Sequence, residues 1–299
     1  MIVIAGGSGY IGKVLTRNLL DKGYTVVIVD KLPPSFTHEK LFFIQCDIVN
    51  QVIPFNALDQ ATAVINLVGN SIFHKWTNSY KEEIRQSRVN STKKIVESIK
   101  TAKNKPNIFI NASAVGFYGE RQEELLTENS KKGDGFFSDL VFDWEKEAFK
   151  VEELSIRTVC IRTAIVLGKS GGMLSILNKF SRLGFFLNLT KKDFWQPWIS
   201  EKDLINIYIF ALETSTLHGV VNAVAPEEVT HKIFIKSIMK FLKRKILGTI
   251  PKKINEIIFG DLVNEITVSQ RILPEKLLDK GFVYKYPTLN ETLSDIYTK

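Results

Sequence analysis

The sequence predicts an α/β fold: a doubly wound, Rossmann-like parallel sheet followed by a smaller, mainly helical C-terminal lobe. Three observations carry this expectation. Short β-branched runs alternate with longer stretches of helical periodicity, the first run leads directly into a glycine-rich turn, and the alternation stops after Gly168. Strands joined by helices form parallel pairs covered on both faces, which is why such runs are continuously apolar rather than alternating.

The strand candidates are IVIA (2 to 5), TVVIVD (25 to 30), LFFIQC (41 to 46), TAVINLV (62 to 68), NIFINAS (107 to 113) and IRTVCIRTAIVL (156 to 167). Beyond Gly168 a helical segment near 173 to 184 leads to the aromatic stretch LGFFLNLTKKDFWQPW, then to a helix near 201 to 213 and the strand-like GVVNAVA. HKIFIKSIMKFLKR reads as one further helix and PEKLLDKGF as another, opened by Pro274 and closed by Gly281. Residues 1–168 are accordingly expected to form the sheet domain and 169–299 the second lobe, with about 198–225 returning to the first domain.

The 299 residues are 44% hydrophobic, enough to bury a sizeable core. The formal charge of +8 raises the question of a nucleic-acid partner. However, KTAKNK (100 to 105) and KFLKRK (240 to 245) lie at helix ends without interleaved stacking aromatics, so they read as solvated surface. The positive field suits a phosphate-bearing small molecule instead. No run of 18 apolar residues occurs, so no membrane span is expected, and MIVIAGGSGYIG lacks the basic leader of a signal peptide. Cys46 and Cys160 sit in apolar runs as core thiols, and the four histidines and two cysteines show no metal-ligand spacing. The expectation is a cytoplasmic monomer or homodimer without a metal.

The strongest chemical signal is GGSGYIG between the first strand and its helix. Gly6, Gly9 and Gly12 supply a tight turn, a backbone without Cβ beside a pyrophosphate, and close helix packing; Tyr10 and Ile11 lie between the last two. Asp30, ending the second strand, is placed to accept from the adenosine ribose hydroxyls, which favours NAD slightly, whereas Lys31 is suited to the 2′-phosphate of NADP. Asp47 follows the third strand as an adenine-side contact or a turn cap, and Leu67, Val68 and Gly69 end the fourth, where a doubly wound sheet holds its ligand.

These motifs resemble the extended short-chain dehydrogenase/reductase superfamily, which includes the sugar-nucleotide epimerases. More closely, the chain resembles the atypical epimerase-like family whose bacterial members are often labelled sugar-nucleotide epimerase or cell-division inhibitor. The resembling segments span nearly the whole chain: AVINLVGNSI, SRVNST (87 to 92), NASAVGFYG (111 to 119), DWEKEA (143 to 148), IRTAIVLGKSGGML (161 to 174), WISEKDL (198 to 204) and SQRILPEKLLDKGF (269 to 282). The resemblance implies NAD(P)(H) as cofactor and oxidoreductase or epimerase chemistry on an unidentified small molecule. It also implies a Tyr–Lys pair for proton transfer, on the helix after the fifth strand. Matched through SAVGFYG and DWEKEA, those two positions are Val141 and Glu145, and no Tyr in the chain is followed four residues later by Lys. The remaining candidates for the chemistry are Ser113, Tyr118 and Glu145, with Arg162 as a nicotinamide-side contact. Loss of the pair leaves a second expectation open, a nicotinamide-binding protein with little turnover and a regulatory or partner-binding role.

FSDLVFDWEKEA frames a further expectation. On a helical wheel Glu145 falls in the apolar arc, and an unpaired buried carboxylate is too costly to persist. In the helix near 78 to 100, Arg88 shares a stripe with Ile84, Ser91, Ile95 and Ile99, so an Arg88–Glu145 ion pair is expected.

Overall fold

The β-branched runs form one sheet of seven parallel strands in the computed structural model, which describes residues 1–54, 57–169, 171–182, 185–187, 193–242, 248–250 and 252–298. The strands are β1 (Ile2–Ala5), β2 (Val26–Asp30), β3 (Leu41–Gln45), β4 (Ala63–Asn66), β5 (Ile108–Ala114), β6 (Arg157–Thr163) and β7 (Gly219–Ala223). Their spatial order is β3-β2-β1-β4-β5-β6-β7, so the order reverses between β1 and β4. That reversal opens a crevice at the carboxyl ends of these strands, the usual ligand position in such sheets.

Alternate residues of each strand feed opposite cores. Ile2, Ile4, Ile28 and Ile65 pack with Leu15 and Leu19 of α1 (Tyr10–Asp21), while Val3, Ala5, Val27 and Val64 face the other way. That second face is covered by Ile95, Val96 and Ile99 of α3 (Ser91–Thr101) and by Ala148 of α4 (Phe136–Phe149). The helix expected near 78 to 100 is interrupted: α2 (Asn78–Arg85) is joined to α3 by a π turn, Gln86–Asn90. Trp144 ties α4 to α3 through a bond from its indole Nε1 to Thr92 Oγ1 at 2.9 Å.

After β6 the chain forms α5 (Gly172–Arg182), and α6 (Glu201–Glu213) then returns to the first face, with Leu204, Ile205 and Tyr208 beside α1. Ser200 caps α6 by accepting from Asp203 N at 3.0 Å. β7 extends the sheet beyond β6, in register from Gly219 with Val159 to Ala223 with Thr163. The C-terminal lobe gathers Leu174, Leu177, Phe234, Ile238, Leu289 and Leu293 into its own core, using α5, α7 (His231–Leu242) and the last helix, Leu289–Tyr297. The PEKLLDKGF helix is short, Glu275–Asp279, and Gly281 takes the left-handed conformation just after it. Residues 243–244 of the expected HKIFIKSIMKFLKR helix, 243–245 of KFLKRK, 183–184 of the helical segment expected near 173 to 184, and 183–184 and 188–192 of the aromatic stretch lie outside the described residues.

His231, at the start of α7, is stacked on Phe194 with ring centroids 4.5 Å apart, and its Nδ1 is 3.2 Å from Gln196 Oε1. Burial pushes its pKa down to about 4, with Asp193 opposing the shift. The imidazole is therefore neutral when folded, whereas in the unfolded chain it takes up a proton below about 6.5. Its contribution is fully present above about pH 6.5 and is lost as pH falls toward about 4, up to about 3 kcal/mol. Urea denaturation of the wild type and His231→Phe should show the wild type losing stability relative to the variant over that interval; a difference independent of pH would contradict it.

Candidate functional site

The glycine turn leaves β1 with Gly6 at φ +79°, a left-handed conformation that glycine adopts at low cost. A Cβ on Gly6 would lie 2.8 Å from the carbonyl carbon of Leu67, and one on Gly12 only 2.6 Å from Gly6 O. The turn thus packs directly on the end of β4 and on the first turn of α1. No side chain caps α1 at Gly9, so its positive end remains available to an anion. Between Gly6, Ser8 and Gly9, the Asp30–Lys31 corner and Leu67–Val68–Gly69 runs a cleft of about 330 Å³.

Both Asp30 oxygens are oriented by backbone donors, Oδ2 by Ser8 N at 3.0 Å and Oδ1 by Lys31 N at 2.7 Å. Each retains acceptor capacity toward the cleft. The Lys31 ammonium sits 3.0 Å from Asp47 Oδ1, and Asn50 donates to Asp47 Oδ2 at 2.8 Å. Slight burial would raise the Asp47 pKa, but Lys31 and Asn50 outweigh it and hold the carboxylate below its ordinary range. A cleft beside a tightly packed glycine turn, an uncapped helix start and an oriented carboxylate fits a dinucleotide.

Tyr10 and Ile11 turn into a second cavity of about 250 Å³. Its walls are largely apolar: Ile72 and Phe73 after β4, Ala114 and Val115 at the end of β5, Phe137 of α4, Ile165 and Val166 after β6, and Met173 of α5. From the C-terminal lobe come Gln196, Pro197, Glu265, Ile266, Val268 and Gln270, and no Lys or Arg is among the described lining residues. Gln270 is fixed by bonds from its Nε2 to Val115 O at 3.1 Å and Gly119 O at 3.0 Å. Burial raises the Glu265 pKa, opposed by Lys81 and the Phe137 N–H. Burial and Glu201 raise that of the Tyr10 phenol, which is therefore protonated at neutral pH.

On α4 Val141 is fully buried, and Glu145, at 5% exposure, is enclosed by hydrogen-bond donors. Arg162 of β6 grips it in a bidentate pair, Nε to Oε1 and Nη2 to Oε2, both at 2.8 Å. Ser113 of β5 donates to Oε1 at 2.6 Å. The Arg162 guanidinium lies 3.4 Å from the centroid of the Phe117 ring and donates through Nη1 to Tyr118 OH at 3.0 Å; Tyr118 in turn donates to Asn222 Oδ1 of β7 at 2.7 Å. Burial alone would lower the Arg162 pKa, but Glu145 raises it above the ordinary value. For Tyr118 burial outweighs Arg162 and Asn222, so its phenol is protonated at neutral pH. The structure brings Ser113, Tyr118, Glu145 and Arg162 into one buried cluster, and none of the four is among the lining residues of either cavity.

The Arg88–Glu145 pair does not form. Arg88 bonds to Asn70 O at 3.1 Å and Ile84 O at 3.4 Å and lies 5.4 Å from the Trp144 ring, while the acceptor sites of Glu145 are taken by Arg162 and Ser113. The wheel assumes a constant 100° per residue, and the π turn containing Arg88 breaks that phase. Asn222, Gln196, Glu265 and Gln270 were not singled out by sequence reasoning. Only Asn222 carried a signal, as a polar residue inside an apolar strand run.

A parallel sheet with a glycine turn at its switch point and a largely apolar cavity beside that turn has the architecture of a dinucleotide-binding protein of the extended short-chain dehydrogenase/reductase type. The chain belongs to the NAD dependent epimerase/dehydratase family, matched over residues 2–223, and residues 250–296 match a domain of unknown function, DUF1731. It is similar to the epimerase family protein YfhF of Bacillus subtilis, 31% identical over 99% of this chain and 97% of that one. It is also similar to human SDR39U1, 28% identical over 99% of both chains. A crystal structure of human SDR39U1 (isoform 2) with NADPH superposes with a TM-score of 0.86 over 99% of each chain. The protein is therefore an NAD(P)-binding member of this family. Among the described residues no helix is long and apolar enough to cross a membrane.

The buried pair makes a clear prediction. Glu145→Leu or Arg162→Met alone leaves a desolvated charge and should cost about 3–5 kcal/mol, while the double variant should recover most of that loss. Urea denaturation of the four forms measures the coupling; additive single effects would show that the pair is not energetically linked.

Proposed function

We propose that the protein is an NAD(P)-dependent oxidoreductase acting on a small, largely apolar carbonyl or alcohol compound. The observation that carries this reading is the cavity shared by Tyr10 and Ile11, which adjoins the glycine turn and has apolar walls without a cation among its described residues. A sugar nucleotide brings a diphosphate, which calls for cations or a helix start at its own subsite. A bound nicotinamide supplies the hydride donor or acceptor.

The chain's own residues divide the remaining work. The glycine turn and the start of α1 hold the pyrophosphate, Asp30 takes the ribose hydroxyls, and Lys31 takes a 2′-phosphate. The human relative was crystallised with NADPH, which agrees with a 2′-phosphate subsite at Lys31, while Asp30 suits NAD, and the reading takes both nucleotides as ligands. The apolar walls exclude water from the reacting centre. Glu265, a wall carboxyl whose pKa burial has raised, takes the proton-transfer part vacated by the Tyr–Lys pair. Ser113, Tyr118 and Glu145 support the cavity from behind.

Fluorescence titration with NADPH and NADH, followed by oxidation of bound NADPH with a panel of small apolar aldehydes and ketones alongside UDP-sugars, tests this reading. Both nucleotides should bind, and Lys31→Ala should weaken NADPH about 3–5-fold while leaving NADH nearly unchanged. Turnover should appear with apolar carbonyls. Glu265→Gln should lower it by roughly 10²-fold with nucleotide affinity intact. Turnover confined to UDP-sugars would overturn the substrate class, and failure of both nucleotides to bind would overturn the whole reading.

A further inference from the structure

Among the described residues Arg88 is a cation without an ion-pair partner. It sits in the π turn between α2 and α3, half-buried, with its guanidinium against the backbone at the end of β4. Of the five N–H groups a guanidinium carries, two meet protein acceptors, Asn70 O at 3.1 Å and Ile84 O at 3.4 Å. Both acceptors are neutral carbonyls. Among the described residues no carboxylate forms an ion pair with Arg88, in contrast to Arg162, which is matched by Glu145 in full.

Its position is specific. A Cβ on Gly69 would lie 3.1 Å from Arg88 Cζ, so the absence of a side chain at 69 lets the guanidinium press against the backbone there. Gly69 and Asn70 line the nucleotide cleft together with Gly6 and Gly9, and Arg88 stands directly behind these two residues rather than among the lining itself. Trp144 backs the guanidinium at 5.4 Å, holding it toward that wall. A guanidinium retained in partial burial with unused donors is suited to a planar or tetrahedral oxyanion.

Resting on the dinucleotide reading, we propose that Arg88 anchors the cofactor's pyrophosphate at the β4 wall of the cleft, opposite the glycine turn. The anion would be shared between the helix start of α1 on one side and this guanidinium on the other. Burial pushes the Arg88 pKa down to about 10, so the group remains charged at neutral pH while lacking compensation. The binding partner is thus a diphosphate, met where two neighbouring backbone segments already come within reach of the guanidinium.

Arg88→Met keeps the apolar stem and removes the charge. NADPH, NADH and ADP-ribose are titrated into the wild type and the variant, with 2′-AMP as a ligand that lacks the pyrophosphate, and melting temperatures are recorded with and without ligand. The variant should bind all three diphosphate ligands roughly ten- to hundred-fold more weakly, bind 2′-AMP as the wild type does, and keep its ligand-free melting temperature. Arg88→Lys should fall between the two, because it restores charge without the fork. Unchanged ADP-ribose affinity in Arg88→Met overturns the inference and leaves the dinucleotide reading standing. Equal weakening of 2′-AMP with a lowered melting temperature also overturns it, by assigning Arg88 a structural part. If the wild type binds neither NADPH nor ADP-ribose, the underlying reading fails instead.

Discussion

A carboxylate on the apolar arc of a helix has to be matched by charge, and the way Glu145 meets that demand organises the C-terminal end of the sheet. Its partner Arg162 comes from β6, its hydroxyl donor Ser113 from β5, and the chain of bonds continues through Tyr118 to Asn222 of β7. One buried charge therefore links α4 to three adjacent strands. Such a pair adds little net stability over a well-packed apolar substitute, whereas removing either partner alone strands a buried charge. It also rules out the usual machinery: a lysine at 145 would place a second cation against Arg162.

The same end of the sheet holds two separate compartments. Gly6 and Gly9 face the nucleotide cleft, while Tyr10 and Ile11, the next residues along, face the apolar cavity. A single turn thus serves two compartments, and the close packing of Gly6 on Leu67 keeps them in fixed relation. The far walls of the cavity come from the C-terminal lobe, through Gln196, Glu265 and Gln270. Its shape depends on how that lobe seats on the sheet, and Gln270 fastens one edge by bonding to Val115 and Gly119 after β5.

Much of this was legible in the residues. The β-branched runs located six strands to within a few residues, because strands buried on both faces leave little compositional ambiguity. The glycine spacing located the tight turn between β1 and α1, because that turn imposes a steric condition that only glycine satisfies at Gly6 and Gly12. The wheel correctly put Glu145 on a buried face yet named the wrong partner. A wheel gives direction around one axis and says nothing of depth, and Arg162, reaching from the strand beneath, is invisible to it. The cavity walls from the C-terminal lobe were not legible either, since Gln196, Glu265 and Gln270 are brought together only by tertiary packing.

The order of the strands has a consequence for biosynthesis. β7 lies beyond α5 and α6 in the chain, yet it completes the edge of the sheet next to β6 and carries Asn222, the last member of the buried cluster. A nascent chain emerging from the ribosome can assemble β1 through β6 early, but until β7 arrives the edge of β6 presents unpaired backbone groups. Ser113, Glu145 and Arg162 can be in place by then, whereas Tyr118 still waits for its acceptor. The sheet can therefore close only once the segment that follows α6 has been synthesised, and until then the open edge of β6 is available for mispairing.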